Sequence, residues 1–391
     1  MGRINIIICD GFGVGEAPDA NEYGDVGSNT FKGVYNNSSL NIPNLKKMGL
    51  FNIDGLNMPE IEQEPIGCYG KCKPQCKGKN SPVGHWEIAG YIQPIPFKTY
   101  LDGFPEELLN RIVEEANIPG FICNKRGSGT ELLKEYGEEM VRTKKPIVYT
   151  SVDSVFQIAA HEEVYSVKEL YKICSIARQV IDEYDYYIGT VIARPYLGTC
   201  AEDFVRTYNR KDFEYTNYGK TMLDSFIENG KTVYAIGKIE DLFSGRGITK
   251  AIHTSGDADG IEHNIQALKK TNYDLIFTNL VDFDMLYGHR NNIDGYARNL
   301  EYLDSKLPEI IDLLREDDIL IVTADHGNDP STPSTDHSRE YIPLLVYGKN
   351  LKKNINLHTR ETFADIAATI LDIKGVPLLG TGNSFKELIL E

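Results

Sequence analysis

The sequence contains no apolar run approaching the roughly 18 residues that a membrane span requires. Positive charge is in deficit: 41 Lys and Arg face 57 Asp and Glu, a formal net charge of −16. A polyanion would meet net repulsion before any contact formed, which argues against nucleic-acid and anionic-membrane partners. A small phosphorylated substrate stays open, because a few local cations or metal ions can hold it. Cysteine is sparse and odd in number, seven in 391 residues. That does not make a disulfide framework and fits reduced thiols in a cytosol. No internal repeat or low-complexity tract interrupts the chain. The apolar stretch Ile4 to Cys9 is too short for a secretory signal and lacks a small-residue cleavage site, so it reads as a first buried strand in a cytoplasmic protein.

With 41% hydrophobic and 25% charged residues, the composition is that of a soluble globular protein. The length suggests two domains, or one large α/β domain carrying an insertion. Short apolar runs recur between helical stretches, the pattern of a mainly parallel sheet covered by helices. Ile4 to Cys9, Thr232 to Ile236, Asp274 to Phe277, Ile319 to Val322 and Ile342 to Tyr347 read as buried strands. Phe363, Ile366, Ala367, Ile370 and Leu371 recur at helical spacing, and Gly375 stands where that helix needs its stop. A second helix is expected over Val167 to Asp182. The middle third differs, with strands expected at Ile147 to Thr150 and Tyr187 to Ala193 among Gly- and Lys-rich loops. We therefore expect an α+β cap at residues 97–216 inserted into a core made of 1–96 and 217–391.

Residues suited to chemistry cluster at expected strand ends. Asp10 follows the first strand and precedes Gly11, Phe12 and Gly13. The carboxyl end of a parallel strand is where α/β sheets place ligands, although Asp before Gly is also an ordinary turn. Asp284 and His289 lie just beyond a strand, as do Asp325 and His326, followed by His337. Hard carboxylates mixed with neutral imidazoles suit Mn²⁺, Zn²⁺ or Mg²⁺. Two such sets could hold two metals about 4 Å apart, the spacing that clamps the attacking and leaving oxygens of a phosphoryl group. Ser81, in the loop Gly78 to Glu87, could present its hydroxyl to a metal, or could serve as a helix cap or turn residue.

Several longer motifs resemble one family. Gly15-Glu-Ala-Pro-Asp-Ala20, Gly84-His-Trp-Glu-Ile-Ala-Gly90, Asp153-Ser-Val-Phe-Gln-Ile-Ala-Ala-His-Glu-Glu163, Ile192-Ala-Arg-Pro195, Asn279-Leu-Val-Asp-Phe-Asp284 and Thr323-Ala-Asp-His-Gly-Asn-Asp-Pro330 are similar, in order, to phosphopentomutases of the alkaline phosphatase superfamily. The resemblance implies an alkaline-phosphatase-like core with an inserted cap. It also implies interconversion of ribose 1-phosphate and ribose 5-phosphate, with two divalent ions (typically manganese) and a sugar bisphosphate as activator. By position, Asp10, Asp325 and His326 would bind one metal and Asp284, His289 and His337 the second, with Ser81 as nucleophile. Ser151, Asp153 and Ile192 match positions that meet the sugar, and Arg206 and Lys238 match positions near the distal phosphate. A cap that excludes water would separate such a mutase from a phosphatase or phosphodiesterase on the same scaffold.

Three departures stand out. The family usually has Asp-Thr at the nucleophile, where this chain has Asn80-Ser81. That segment and Asp10-Gly11-Phe12-Gly13 resemble cofactor-independent phosphoglycerate mutase, which uses serine. Thr190 stands where the family carries a phosphate-gripping arginine, and threonine cannot replace that charge. Arg194, Arg206, Arg210 and Lys238 are candidates to compensate; a divergent mutase acting on another sugar phosphate is the alternative. Cys68, Cys72 and Cys76, spaced by four among lysines, could bind a soft metal or act as a redox switch. His85 and the single tryptophan, Trp86, are expected to buttress the nucleophile loop.

Overall fold

A computed structural model describes residues 2–151, 154–216 and 218–390. The strands, in chain order, are β1 (Ile4–Cys9), β2 (Cys68–Cys72), β3 (Ile122–Arg126), β4 (Ile147–Thr150), β5 (Val155–His161), β6 (Thr190–Leu197) and β7 (Val205–Arg206). They continue as β8 (Lys211–Glu214), β9 (Val233–Ile236), β10 (Lys250–Ile252), β11 (Leu275–Leu280), β12 (Ile319–Thr323), β13 (Ile342–Tyr347) and β14 (Ile355–Arg360). The chain divides into two compact units, one of Met1–Pro94 with Gly219–Glu391 and one of Ile95–Tyr218.

The first unit is built on an eight-stranded sheet in the order β10-β9-β11-β1-β12-β13-β2-β14. From β10 to β12 every pairing is parallel. β13 runs antiparallel to both its neighbours. β1 and β11 are buried at every residue, as strands covered on both faces must be. Helix Asp257–Lys270 packs on β11 and on helix Ile293–Asp312, while Ala364–Lys374 packs against Ser81–Ile88. Gly375 ends Ala364–Lys374 in the left-handed conformation (φ 64°), where its missing side chain removes the steric penalty.

The second unit has a mixed sheet in the order β3-β4-β5-β6-β7, with β8 also paired to β6. Helix Val167–Glu183 opens on a capping box between Ser166 and Glu169. It buries Leu170, Ile173, Ala177 and Val180 in a core shared with Leu108, Phe156 and Val191. The expected strand at Tyr187 starts later, at Thr190, because Asp185 and Tyr187 adopt positive φ and break the extended chain. Strands β2, β3, β5, β7, β8, β10 and β14 escaped the reading of the sequence. β2 carries a glycine at its centre, and β14 is only partly buried, so neither shows a clean alternation.

Candidate active site

Parallel strands end together, so residues that follow β1, β11 and β12 meet at one edge. Asp10, Asp325 and His326 offer ligand atoms within 4.8 Å of one another, and so do Asp284, His326 and His337. His326 therefore stands between the two sets. Its Nε2 lies 3.3 Å from both Asp10 Oδ1 and Asp325 Oδ2. His289, expected beside Asp284, has its Nε2 3.0 Å from Asp284 Oδ2, and His337 Nε2 is 3.3 Å from Asp284 Oδ1.

The second atom of each ring fixes its aim. His326 Nδ1 faces the Gly327 carbonyl at 3.0 Å and His289 Nδ1 faces that of Thr335 at 2.6 Å. With those nitrogens donating, each Nε2 is left as the coordinating atom. The carboxylates are oriented in the same way. Asn279 Nδ2 donates to Asp10 Oδ2 (2.8 Å), Asn328 Nδ2 to Asp284 Oδ1 (2.6 Å) and the Gly11 amide to Asp325 Oδ1 (3.1 Å). Asn279 and Asn328 were not singled out in the sequence, although an amide at the end of a buried strand (Asn279) and one in the loop after another (Asn328) are a usable signal.

Ser81 joins this cluster. Its Oγ is 3.3 Å from Asp10 Oδ1 and 3.1 Å from His326 Nε2. The capping role open to it falls to Asn80, whose side chain accepts from the Val83 amide at 3.2 Å, leaving the Ser81 hydroxyl free for the cluster. The helix it opens is pressed against the strand end, because a Cβ on Gly84 would overlap the Asp325 backbone carbonyl. His85 Nδ1 lies 2.9 Å from the Ser81 carbonyl and 3.2 Å from Asp325 Oδ2, and Trp86 Nε1 donates to Leu242 O at 2.9 Å. Both side chains are fully buried.

Burial and the neighbouring Asp325 push the Asp10 carboxyl up. Burial also works against the Asp284 carboxylate, but His337, His289 and His326 outweigh it and hold that carboxyl well below its usual range. Asp325 is held at about 2 by His326 and His85 against its own burial. His326 and His289 are pushed up to about 10 and about 9, burial being overcome by the adjacent carboxylates. This concentration of buried negative charge demands cations. Asp325 Oδ2 and His337 Nε2 are buried and contact only ion-pair partners among the described residues, His85 and His326 at 3.2 and 3.3 Å and Asp284 at 3.3 Å, contacts that a bound cation would replace. Three carboxylates and three imidazoles are a donor set fitted to hard or borderline divalent ions.

The residues expected to meet substrate are spread over both units. Ser151 directly follows β4, Ile192 is buried within β6 and Arg206 ends β7, all in the second unit. Lys238 precedes helix Ile239–Leu242 in the first unit. Asp153 falls outside the described residues. The cysteines read as a possible soft-metal or redox site are taken into the interior. Burial raises the Cys68 thiol to about 11 and the Cys72 and Cys76 thiols well above their ordinary value, and none joins a metal-ligand group among the described residues.

Residues 2–378 match the model of the Metalloenzyme superfamily. A phosphopentomutase of Caldanaerobacter subterraneus is 50% identical to this chain, over 100% of it and 98% of the relative. A phosphopentomutase of Thermotoga petrophila is 51% identical with both chains fully covered. The chain belongs to the phosphopentomutase family. As a phosphopentomutase-family member it is an enzyme, an intramolecular phosphotransferase of the isomerase class. Among solved structures, a Leishmania mexicana phosphoglycerate mutase aligns over 100% of this chain and 98% of its own, at TM-score 0.49 and 14% identity.

Proposed function

We propose that this enzyme interconverts ribose 1-phosphate and ribose 5-phosphate, and the corresponding 2-deoxyribose phosphates, through phosphorylated Ser81 and a sugar bisphosphate. One observation carries the reading: the Ser81 hydroxyl sits within 3.3 Å of both Asp10 and His326, in a chain alike over its whole length to phosphopentomutases. Asp10, Asp325 and His326 would hold one divalent ion and Asp284, His289 and His337 a second, manganese being the first candidate. When bound, such ions supply positive charge to the transferring phosphoryl oxygens and lower the pKa of a nearby hydroxyl.

The chain's own residues do the rest. Asn80 caps the helix, so Ser81 sits in its first turn, where the helix dipole favours the negative charge of a phosphoryl group. Asn279 and Asn328 hold the carboxylates in place, and His85 braces Asp325 and the Ser81 carbonyl. Phosphorylated Ser81 gives its phosphoryl group to the free hydroxyl of the sugar monophosphate, forming the bisphosphate. Ser81 then takes the other phosphoryl group back, so phosphate is conserved. Ser151, Asp153, Ile192, Arg206 and Lys238 are the proposed substrate contacts. The partner is a small sugar phosphate rather than a nucleic acid or a membrane, and the setting is the cytoplasm.

The test follows ribose 5-phosphate by phosphorus NMR with manganese and a catalytic amount of a sugar bisphosphate. Ribose 1-phosphate is the expected product. Release of inorganic phosphate in its place would reassign the enzyme as a two-metal phosphatase, and turnover of a different sugar phosphate alone would overturn the substrate assignment.

A further inference from the structure

Within the first unit, residues 73–80 lie outside any helix or strand and connect β2 to the helix that opens on Ser81. Irregular backbone has no ladder to satisfy its amides and carbonyls, so its place is set by whatever groups meet them. The amides of Lys73 and Lys77 find backbone acceptors elsewhere; the middle of the loop is held by two buried ions. Glu87, in the last turn of the Ser81 helix and fully buried, accepts from the amides of Gln75 (2.9 Å) and Cys76 (2.8 Å). The same carboxylate accepts from the Thr362 hydroxyl (2.7 Å) and the Phe363 amide (3.0 Å), which anchors it beside helix Ala364–Lys374. Arg339, 2% exposed, takes the opposite groups of the loop and donates to the carbonyls of Gly78 (2.6 Å) and Pro74 (3.3 Å). Asp19 accepts from its Nε and Nη2, each at 3.0 Å, a fork that fixes the plane of the guanidinium.

The origin of that guanidinium matters. Arg339 stands two residues after His337, and its neighbour Ser338 exchanges both backbone hydrogen bonds with Gly327, at 2.7 and 3.1 Å. Gly327 directly follows His326. One side chain therefore ties the loop that ends in Ser81 to the segments that carry two of the cluster's imidazoles. A second strap runs beside it: Asp25 accepts from the Arg339 amide at 2.8 Å and from Lys79 Nζ at 3.0 and 3.1 Å. Among the described residues, neither Glu87 nor the Arg339 guanidinium hydrogen-bonds to Ser81 or to the carboxylate–imidazole cluster, so whatever they do there is done through the backbone. The distances at stake are short, because Ser81 Oγ lies 3.1 Å from His326 and 3.3 Å from Asp10. A misplacement of about 1 Å can cost about 100-fold in rate.

We propose that Arg339 and Glu87 are positioning residues for phosphoryl transfer: gripping the loop from its carbonyl and its amide sides, they hold Ser81 in register with His326 and His337. The inference rests on the reading of Ser81 as the nucleophile. Arg339 needs its fork for this task, since one end binds Asp19 while the other reaches the loop carbonyls, and a lysine ammonium supplies the charge without that geometry.

The experiment uses the full chain, wild type and the variants Arg339→Lys, Arg339→Ala, Glu87→Gln, Asp19→Asn and Ser81→Ala. Turnover of ribose 5-phosphate is measured with manganese, manganese affinity by chelator competition, and amide hydrogen exchange over residues 74–81 in the metal-free chain. Arg339→Lys and Glu87→Gln should lower kcat about 10–100-fold with KM moved by less than about threefold. Asp19→Asn should lower kcat severalfold. In each, manganese affinity should stay within about threefold of wild type while exchange over 74–81 accelerates. Methylguanidinium should restore at least about tenfold of the activity lost in Arg339→Ala and none in Ser81→Ala. A kcat within about twofold of wild type in both Arg339→Lys and Glu87→Gln would overturn the proposal, whatever happens to Tm. A loss of manganese affinity equal to the loss of kcat would overturn it as well, by placing the effect on the metal ligands. Should Arg339→Ala fail to fold, Arg339→Lys and Asp19→Asn decide, the Asp19 side chain being 26% exposed. Full activity in Ser81→Ala would sink the nucleophile reading and this inference with it, whereas an inactive Ser81→Ala beside an unimpaired Arg339→Lys would sink the positioning role alone.

Discussion

The two charged clusters of this molecule are built in opposite senses. In the first unit, three buried carboxylates crowd one sheet edge and hold His326 and His289 at about 10 and about 9. In the second, Arg206 lies against the first residue of helix Gly129–Thr143, and burial with Arg210 and Arg206 pushes Arg194 down. Each cluster concentrates charge of one sign, offset in part by partners of the other. In a chain of net charge −16, the carboxylate-rich cluster is suited to recruiting cations and the guanidinium-rich one to meeting an anion. It also separates two kinds of support. Asn279, Asn328 and His85 hold the carboxylates at fixed angles, whereas Tyr149 Oη and Arg206 Nε have no hydrogen-bond partner among the described residues.

That contrast can be broken at four points. Ser81→Ala removes the atom proposed to carry the phosphoryl group, and kcat should fall about 10⁴-fold or more; phosphorus NMR should show no phosphoserine. Trp86→Ala opens a cavity behind the nucleophile helix and should cost about 3–5 kcal/mol of stability, read by denaturant unfolding. Asn328→Ala releases the amide on Asp284, and metal affinity should weaken about 10–100-fold in a competitive chelator titration. The smallest effect is expected at Thr190→Arg. The new guanidinium would face the buried Glu214 directly across the β6–β8 pairing, so KM should move by less than about threefold. A fall of tenfold or more would show that the site still lacks the charge this substitution restores.

A fifth prediction concerns a residue that binds the loops of the first unit together. Glu340 accepts from the amides of Gly15 and Thr30 and from the hydroxyls of Thr30 and Ser338. Thr30 Oγ1 in turn accepts from the Asn328 amide. Glu340→Gln sets an NH₂ group against two of these donors and should lower stability by about 2 kcal/mol, measured by chemical denaturation.

How much of this could be read from the chain varies with the physics involved. β1, β4 and β13 coincide with their sequence readings because strands buried over nearly their whole length are mainly apolar runs. The β6 boundary was misplaced because apolar Tyr187 and Ile188 look extended, and the positive φ at Tyr187 is imposed by the turn that precedes the strand. Asp10, Asp284 and Asp325 stood out because polar residues after such strands need a reason. Tyr149 did not: within the apolar run Ile147 to Thr150 it is one more aromatic core residue, and nothing local says that its hydroxyl lacks a partner among the described residues.

Residue types and their order along the chain were enough to set the α/β class, the carboxylate–imidazole chemistry and the family resemblance, because apolar periodicity and ligand hardness are local properties. Folding alone put His326 between two ligand groups, gave the helix cap to Asn80 and so freed Ser81, and stacked Arg206 on Gly129. Those outcomes depend on distances between segments far apart in the chain, such as the 245 residues that separate Ser81 from His326, and no local pattern encodes such distances.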